Sequence, residues 1–207
     1  MKLDDSNVPW WKDQLNTVVS MPTSHQITHI ENIRRNKRTQ EGWLAVEVRL
    51  FRLHLEFVRW IDDDERESKS VQDRTTVSIL RMVKDTYQMP NLFPLAVDIL
   101  DMCLFVIGLS ALAKDLKASS PTPLGAERSL AFKFVKLVKS KSKSAVHKYM
   151  RVCEDPIIWQ LRLFGEFMDR SMDSEYDPRV PFKPDAWQRN VLNCLDDVDH
   201  SVLVVGT

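Results

Sequence analysis

The apolar residues of this chain recur every three or four positions over most of its length. The strongest pattern runs from Gly42 to Ile61 and consists of two neighbouring apolar stripes. The first stripe contains Trp43, Val46, Leu50, Leu53, Phe57 and Trp60. The second contains Leu44, Val48, Phe51, Leu55 and Val58. Two adjacent stripes give a wide apolar face, so the sequence predicts a deeply packed helix here.

Two more helices follow from the same periodicity. Residues 71–87 predict an amphipathic helix that ends before Pro90, because the residue preceding a proline disfavours the α region. Residues 95–117 predict a central hydrophobic helix. Its most apolar part, 95–112, is expected to be the most buried segment of the chain.

The second half of the chain begins with a linker rich in Ser and Pro at 119–125. Residues 127–152 then predict a long, strongly basic helix, and a further helix is predicted from Pro156 to about residue 172. The first 40 residues are mixed and polar, and we interpret Trp10 and Trp11 as anchors on a partner surface or on the helices that follow.

The composition supports a packed, mainly helical protein. Of the 207 residues, 43% are hydrophobic and 28% are charged, which excludes global disorder. Only 5 residues are glycine, which disfavours a fold with many tight β-turns. The formal net charge is zero, so any surface that attracts nucleic acid must be local.

The cysteines and the most apolar segments indicate in which cellular compartment the protein is expected. The 3 cysteines are far apart and form no C-x-x-C pair, which fits a reducing compartment better than a disulfide framework or a zinc ribbon. The most hydrophobic window carries Asp98 and Asp101, so its charge-free stretch is too short to span a bilayer. The N-terminus has no apolar signal region. We expect a cytoplasmic protein without a membrane segment.

A local concentration of positive charge lies in the predicted basic helix. Its members are Lys133, Lys136, Lys139, Lys141, Lys143, Lys148 and Arg151. Such cations can contact an RNA backbone and release counterions. The alternative is a solvated helix face, which is the commoner fate of a charge run. Ser140, Ser142 and Ser144 alternate with the lysines and would add neutral phosphate contacts, or repel RNA when phosphorylated.

Other clusters are weaker candidates. Residues 62–65 are all acidic and suit a divalent cation, but a solvated loop explains them better. His25 and His29 have the spacing of two metal ligands on a helix, without a third ligand. His54 interrupts an apolar face and is best interpreted as a partly buried histidine with a hydrogen-bond partner. We assign no catalytic residue and no metal site.

The last 27 residues have a distinctive order. Phe182 and Pro184 precede a short amphipathic helix that carries Gln188, and a polar break then leads to the apolar run 202–205. Proline suits the first turn of a helix, where its missing N–H costs nothing. An all-apolar run of this length is typical of a parallel strand buried on both faces. Gly206 would permit the tight turn that follows.

This order resembles the adenine-recognition segment of DExD/H-box RNA helicases of superfamily 2, in particular the large antiviral, superkiller-like group. The resemblance implies that Phe182 stacks on adenine, that Gln188 hydrogen-bonds the adenine edge, and that Gly206 and Thr207 open the phosphate-binding loop. It also implies ATP and Mg²⁺ as cofactors of the whole helicase and RNA as its partner. The chain alone, ending before the loop lysine, is expected to bind neither cofactor and to be inactive.

The predicted fold class is therefore mainly α. Residues 1–40 form a polar N-terminal segment, 41–175 a bundle-like helical accessory module, and 176–207 the first helix and strand of a RecA-like ATP-binding domain. The alternative is a helical scaffold that binds other proteins and whose last apolar run is coincidental.

Overall fold

The structure is a computed structural model that describes residues 7–90, 92–118, 126–155, 158–159, 162–163, 176–184 and 186–196. The chain forms two compact units, Met1–Cys153 and Glu154–Thr207. The described residues are mainly helical, as predicted from the sequence, and they contain no strand beyond one isolated β-bridge.

The first unit is built around six α-helices among its described residues. They are α1 (Asn7–Val19), α2 (Thr23–Arg34), α3 (Gly42–Asp62), α4 (Lys69–Tyr87), α5 (Pro94–Ile107) and α6 (Leu112–Ala118). Short 3₁₀ helices occur at Lys37–Thr39 and Lys148–Met150.

Helix α3 is the centre of this unit. It packs against α2, α4 and α5, and the buried side chains of its apolar face include Leu50, Leu53 and Phe57. The two-stripe pattern thus predicted this helix and its depth correctly. The expectation that 95–112 is the most buried segment was wrong, because Leu95 and Phe105 remain 39% and 38% exposed.

Residues 7–40 form more helix than the polarity of this part of the chain indicated. Helices α1 and α2 bury Trp11 and Ile30 completely in a cluster with Leu44 and Phe51 of α3. Trp11 is therefore an anchor on the following helices, one of the two roles that the sequence suggested.

Local signals set the ends of α4 and α5. The hydroxyl of Ser68 accepts a hydrogen bond from the N–H of Val71 and caps α4. Pro94 occupies the first turn of α5, and Gly108 ends the helix in the left-handed conformation, with φ of 86°. The hydrophobic helix predicted over 95–117 is therefore interrupted at Gly108, and α6 follows separately.

The long basic helix predicted over 127–152 is absent, and this is the main correction to the sequence analysis. Residues 126–137 form neither helix nor strand and are called the strap below. A hairpin closed by the bridge between Val138 and Ala145 follows, and then the 3₁₀ turn Lys148–Met150.

The second unit is described in part. Its helix α7 spans Ala186–Asp196, where the sequence predicts the short helix that carries Gln188. Within the predicted helix 156–172, residues 158–159 and 162–163 are helical, and the rest lies outside the described residues. The predicted linker 119–125 and the predicted strand 202–205 also lie outside them. None of the helices that the structure describes combines the length and the apolar character needed to span a bilayer.

Candidate functional site

The strap is held on α3 by a buried carboxylate. Glu47 has no exposed surface, and its Oε1 accepts the Nε1–H of Trp11 at 3.0 Å and the backbone N–H of Ala131 at 2.6 Å. A segment outside helices and sheets needs acceptors for its N–H groups, and Glu47 supplies one. The carboxylate therefore joins α1, α3 and the strap.

Arg128 supplies the positive charge nearest this carboxylate. Its Nε lies 3.9 Å from Oε2 of Glu47, and its guanidinium lies 3.3 Å from the centre of the Trp43 ring. A planar guanidinium stacks well on an aromatic face. Burial raises the pKa of Glu47, although the bonds from Ala131 and Trp11 and the charge of Arg128 act in the opposite direction.

A second acceptor lies two turns further along α3. Nδ1 of His54 accepts the backbone N–H of Val135 at 3.1 Å. Burial lowers the pKa of His54 to about 4, so the imidazole is neutral at pH 7, as an acceptor Nδ1 requires. The structure confirms that His54 is partly buried with a hydrogen-bond partner. Sequence reasoning did not find that the partner is the strap.

Aromatic contacts complete the attachment of the strap. Phe132 meets Phe51 edge-on at 4.8 Å between ring centres, and Phe134 contacts His54 and Phe57 at 5.8 and 6.4 Å. Phe132 and Phe134 are two residues apart and face α3 together, as alternate residues of an extended chain do. The intervening Lys133 is exposed.

The hairpin that follows is closed by backbone hydrogen bonds. The N–H of Val146 donates to the carbonyl of Leu137 at 2.8 Å, and the N–H of Lys139 donates to that of Ser144 at 2.8 Å. The N–H of Lys143 donates back to the carbonyl of Lys139 at 2.9 Å, and Lys143 has a φ of 48°. Residues 139–144, all exposed, are called the hairpin tip below.

The return arm of the hairpin is fixed to the helices. Nε2 of Gln72 donates to the carbonyls of Tyr149 and Arg151 at 2.6 and 3.0 Å. Met150 is fully buried, and the Tyr149 ring contacts the edge of Trp60. The two arms are therefore anchored while the tip projects.

The seven cations predicted to bind RNA are all exposed in this structure. They do not lie on one helix, because the predicted helix is replaced by the strap, the hairpin and the 3₁₀ turn. Within the part of the chain that the structure describes, none of them forms an ion pair with a carboxylate. Their places are Lys133 and Lys136 on the strap, Lys139, Lys141 and Lys143 at the tip, and Lys148 and Arg151 on the return arm.

The second unit contains the described part of the predicted adenine-recognition segment. Phe182 is 53% exposed, whereas Pro184, two residues later, is buried. Gln188 is half-buried and lies in the first turn of α7. Gly206 and Thr207, predicted to open the phosphate loop, lie outside the described residues.

An arginine that the sequence analysis missed ties this segment to α7. The side chain of Arg179 donates to Asp177 at 2.8 Å, to Asp196 at 2.6 Å and to Asn193 at 3.0 Å. The hydrogen bond from Arg179 lowers the pKa of Asp177 to about 2. The sequence did show that Asp177 and Arg179 are two positions apart, which suits an ion pair. It did not show that Asp196, which is distant in the chain, also binds Arg179.

The parts of the chain that the structure describes contain no candidate metal site. No set of three or more His, Cys, Asp or Glu side chains there has the arrangement of a cation site. Comparisons with protein-family models, with curated proteins and with solved structures find no match for the chain.

Proposed function

We propose that this chain belongs to an ATP-dependent DExD/H-box RNA helicase of superfamily 2. Its first unit serves as the helical accessory module, and residues 176–207 open the RecA-like ATP-binding domain. The whole helicase hydrolyses ATP and remodels RNA. The chain described here contributes the adenine contact and an RNA-binding surface, and it supplies no catalytic group.

The observation that supports the proposal best is the exposure of Phe182, four residues before α7 begins. An aromatic side chain that is 53% exposed offers a face on which adenine can stack. Gln188 follows six residues later at the start of a helix, and its amide carries both a donor and an acceptor for the adenine edge. Pro184, which lies between Phe182 and Gln188, is buried. The bonds of Arg179 to Asp196 and Asn193 tie the residues before Phe182 to α7.

The residues present suit only the base of the nucleotide. By the resemblance, the phosphates and Mg²⁺ are held by a loop that begins at Gly206 and by later motifs. ATP bound there would supply the terminal phosphoanhydride bond whose hydrolysis drives the helicase. The part of this chain is to select adenine through Phe182 and Gln188.

RNA is the second ligand of the proposal. The seven exposed cations of the first unit would contact phosphates, which fix the position of a nucleic acid without reading its sequence. The exposure of these side chains and their lack of carboxylate partners in the described structure support this role.

Reading the coding sequence past Thr207 is the most direct test. The proposal requires Gly-Lys-Thr or Gly-Lys-Ser within about seven positions of Gly206. In the full-length protein, Phe182→Ala should weaken ATP binding roughly tenfold, as expected for the loss of a stacking contact worth 1–3 kcal/mol. Tyr176→Ala is the matched control, because Tyr176 is also exposed, at 77%. Absence of the lysine motif, or equal ATP affinity in both variants, would instead favour the helical scaffold.

A further inference from the structure

The three lysines of the hairpin tip have no neighbouring negative charge to balance them in the described structure. Lys139, Lys141 and Lys143 lie within five successive positions, and no carboxylate of the described chain pairs with them. Like charges repel at this spacing, and an anionic ligand relieves that repulsion. The serines between them are exposed, and the hydroxyls of Ser142 and Ser144 bond each other at 2.7 Å.

The conformation of Lys143 adds a second argument. Its φ of 48° lies in the left-handed region, and it is the only non-glycine residue with positive φ among those that the structure describes. Glycine or asparagine would adopt this conformation at lower cost. A lysine here has no packing role, because its side chain is exposed. The property that a glycine at this position would lack is the positive charge of the lysine.

The arms of the hairpin hold the tip in a defined place. Leu137 before it and Met150 after it are 1% and 0% exposed. The bonds to His54 and Gln72 fix the backbone on both sides. A cationic loop fixed in this way loses less conformational entropy on binding than a flexible tail does.

We propose that the hairpin tip is the principal contact of this unit with RNA and that its ligand is the phosphate backbone of a single strand. This inference rests on the proposed function for the choice of RNA as the anion, and it narrows the seven cations to Lys139, Lys141 and Lys143. The tip binds phosphates through charge, so affinity falls with salt and base sequence has little effect.

The test compares two triple variants of the chain by titrating a labelled single-stranded RNA at several salt concentrations. Lys139→Gln, Lys141→Gln and Lys143→Gln together should reduce affinity about tenfold and flatten the salt slope by about 2, since each phosphate contact on a single strand contributes about 0.7. The control combines Lys12→Gln, Lys84→Gln and Lys114→Gln, which removes the same charge from exposed sites in α1, α4 and α6. It should leave the slope near that of the wild type. Equal effects of the two triple variants would overturn the proposal.

A single substitution separates binding from folding. Lys143→Gly relieves the left-handed strain, so the midpoint of urea unfolding should not fall, while RNA affinity should drop severalfold. Unchanged affinity in Lys143→Gly and in the tip triple variant would contradict the inference. Vesicles of phosphatidylserine and phosphatidylcholine form a further arm, and tip-dependent binding to them without binding to RNA would assign the tip to a lipid surface instead.

The RNA titration of the tip variants does not depend on nucleotide binding. A missing Gly-Lys-Thr motif after Gly206 would defeat the helicase assignment and leave the RNA titration informative. Conversely, an intact motif together with an inert tip would defeat this inference alone.

Discussion

Nδ1 of His54 accepts the backbone N–H of Val135 at 3.1 Å, so a titratable side chain of α3 holds the strap. This acceptor is lost when the imidazole is protonated, because both ring nitrogens then carry hydrogen. The attachment of the strap is therefore coupled to pH.

Acidification should destabilise the protein through His54. The unfolded imidazole takes up its proton near pH 6.5, whereas the folded one does so only at about 4. The stability it contributes is thus fully present above pH 6.5 and is lost as the pH falls through 4. We expect His54 to account for a loss of about 3 kcal/mol in the free energy of unfolding between pH 7 and pH 4.

Urea unfolding across this pH range, for the wild type and for His54→Gln, measures that contribution. The variant keeps an acceptor without a proton equilibrium, so its stability should vary less with pH. Glu47, whose pKa is raised, contributes in the opposite direction in both proteins, and the difference between them isolates His54. Exposed His25→Gln is the control and should follow the wild type. Identical pH profiles for all three proteins would contradict the assignment.

Replacing Glu47 should be among the most damaging changes in the first unit. Glu47→Leu leaves the N–H groups of Trp11 and Ala131 without their acceptor, and a loss of about 2–4 kcal/mol in the free energy of unfolding is expected. Glu47→Gln retains a carbonyl acceptor and should cost less. Comparing the two by urea denaturation tests whether Glu47 acts as an acceptor, since equal losses would point to side-chain size instead.

Two glycines with positive φ should respond differently to alanine. A Cβ on Gly108 would lie 2.8 Å from the carbonyl oxygen of Val152, whereas one on Gly42 would meet nothing within 4 Å. Gly42→Ala should cost about 1 kcal/mol of stability from backbone strain alone. Gly108→Ala should cost clearly more, because the clash adds to the strain and the neighbouring bond from Val152 N–H to Ile107 must shift. Thermal unfolding of both variants measures the difference.

The chain described here should show no ATP hydrolysis above background. The resemblance assigns its residues only to the adenine base, whereas phosphate contacts and Mg²⁺ dominate catalysis of phosphoryl transfer. Phosphate release by a purified preparation is the measurement. Turnover that survives Phe182→Ala would place an active site elsewhere in the chain.

The sequence predicted α3 because a wide apolar stripe has one stable arrangement, which is burial on several sides. It predicted α4 and the break at Pro90 for equally local reasons. These features depend on residues close together in the chain, and helical periodicity reports them directly.

The strap could not be predicted in the same way. Lysine and alanine favour helix, and no local signal showed that Glu47 and His54 would accept hydrogen bonds from Ala131 and Val135. The alternate spacing of Phe132 and Phe134 was the available sign that this segment is not helical. A pattern with only two members is too short to decide between helix and strand. Tertiary contacts therefore overrode helix propensity. For the same reason, the seven cations were identified as a group but placed on the wrong element.

The long span of chain between Glu47 and Ala131, 84 residues, sets an order of events while the protein is being made. Chains leave the ribosome from the N-terminus, so α3 emerges well before the strap. Until residues 132–134 follow, the rings of Phe51 and Phe57 lack the cover that the strap gives them in the finished protein. A nascent chain halted between α6 and the strap therefore leaves part of this aromatic surface uncovered, and exposed apolar surface of this kind promotes aggregation.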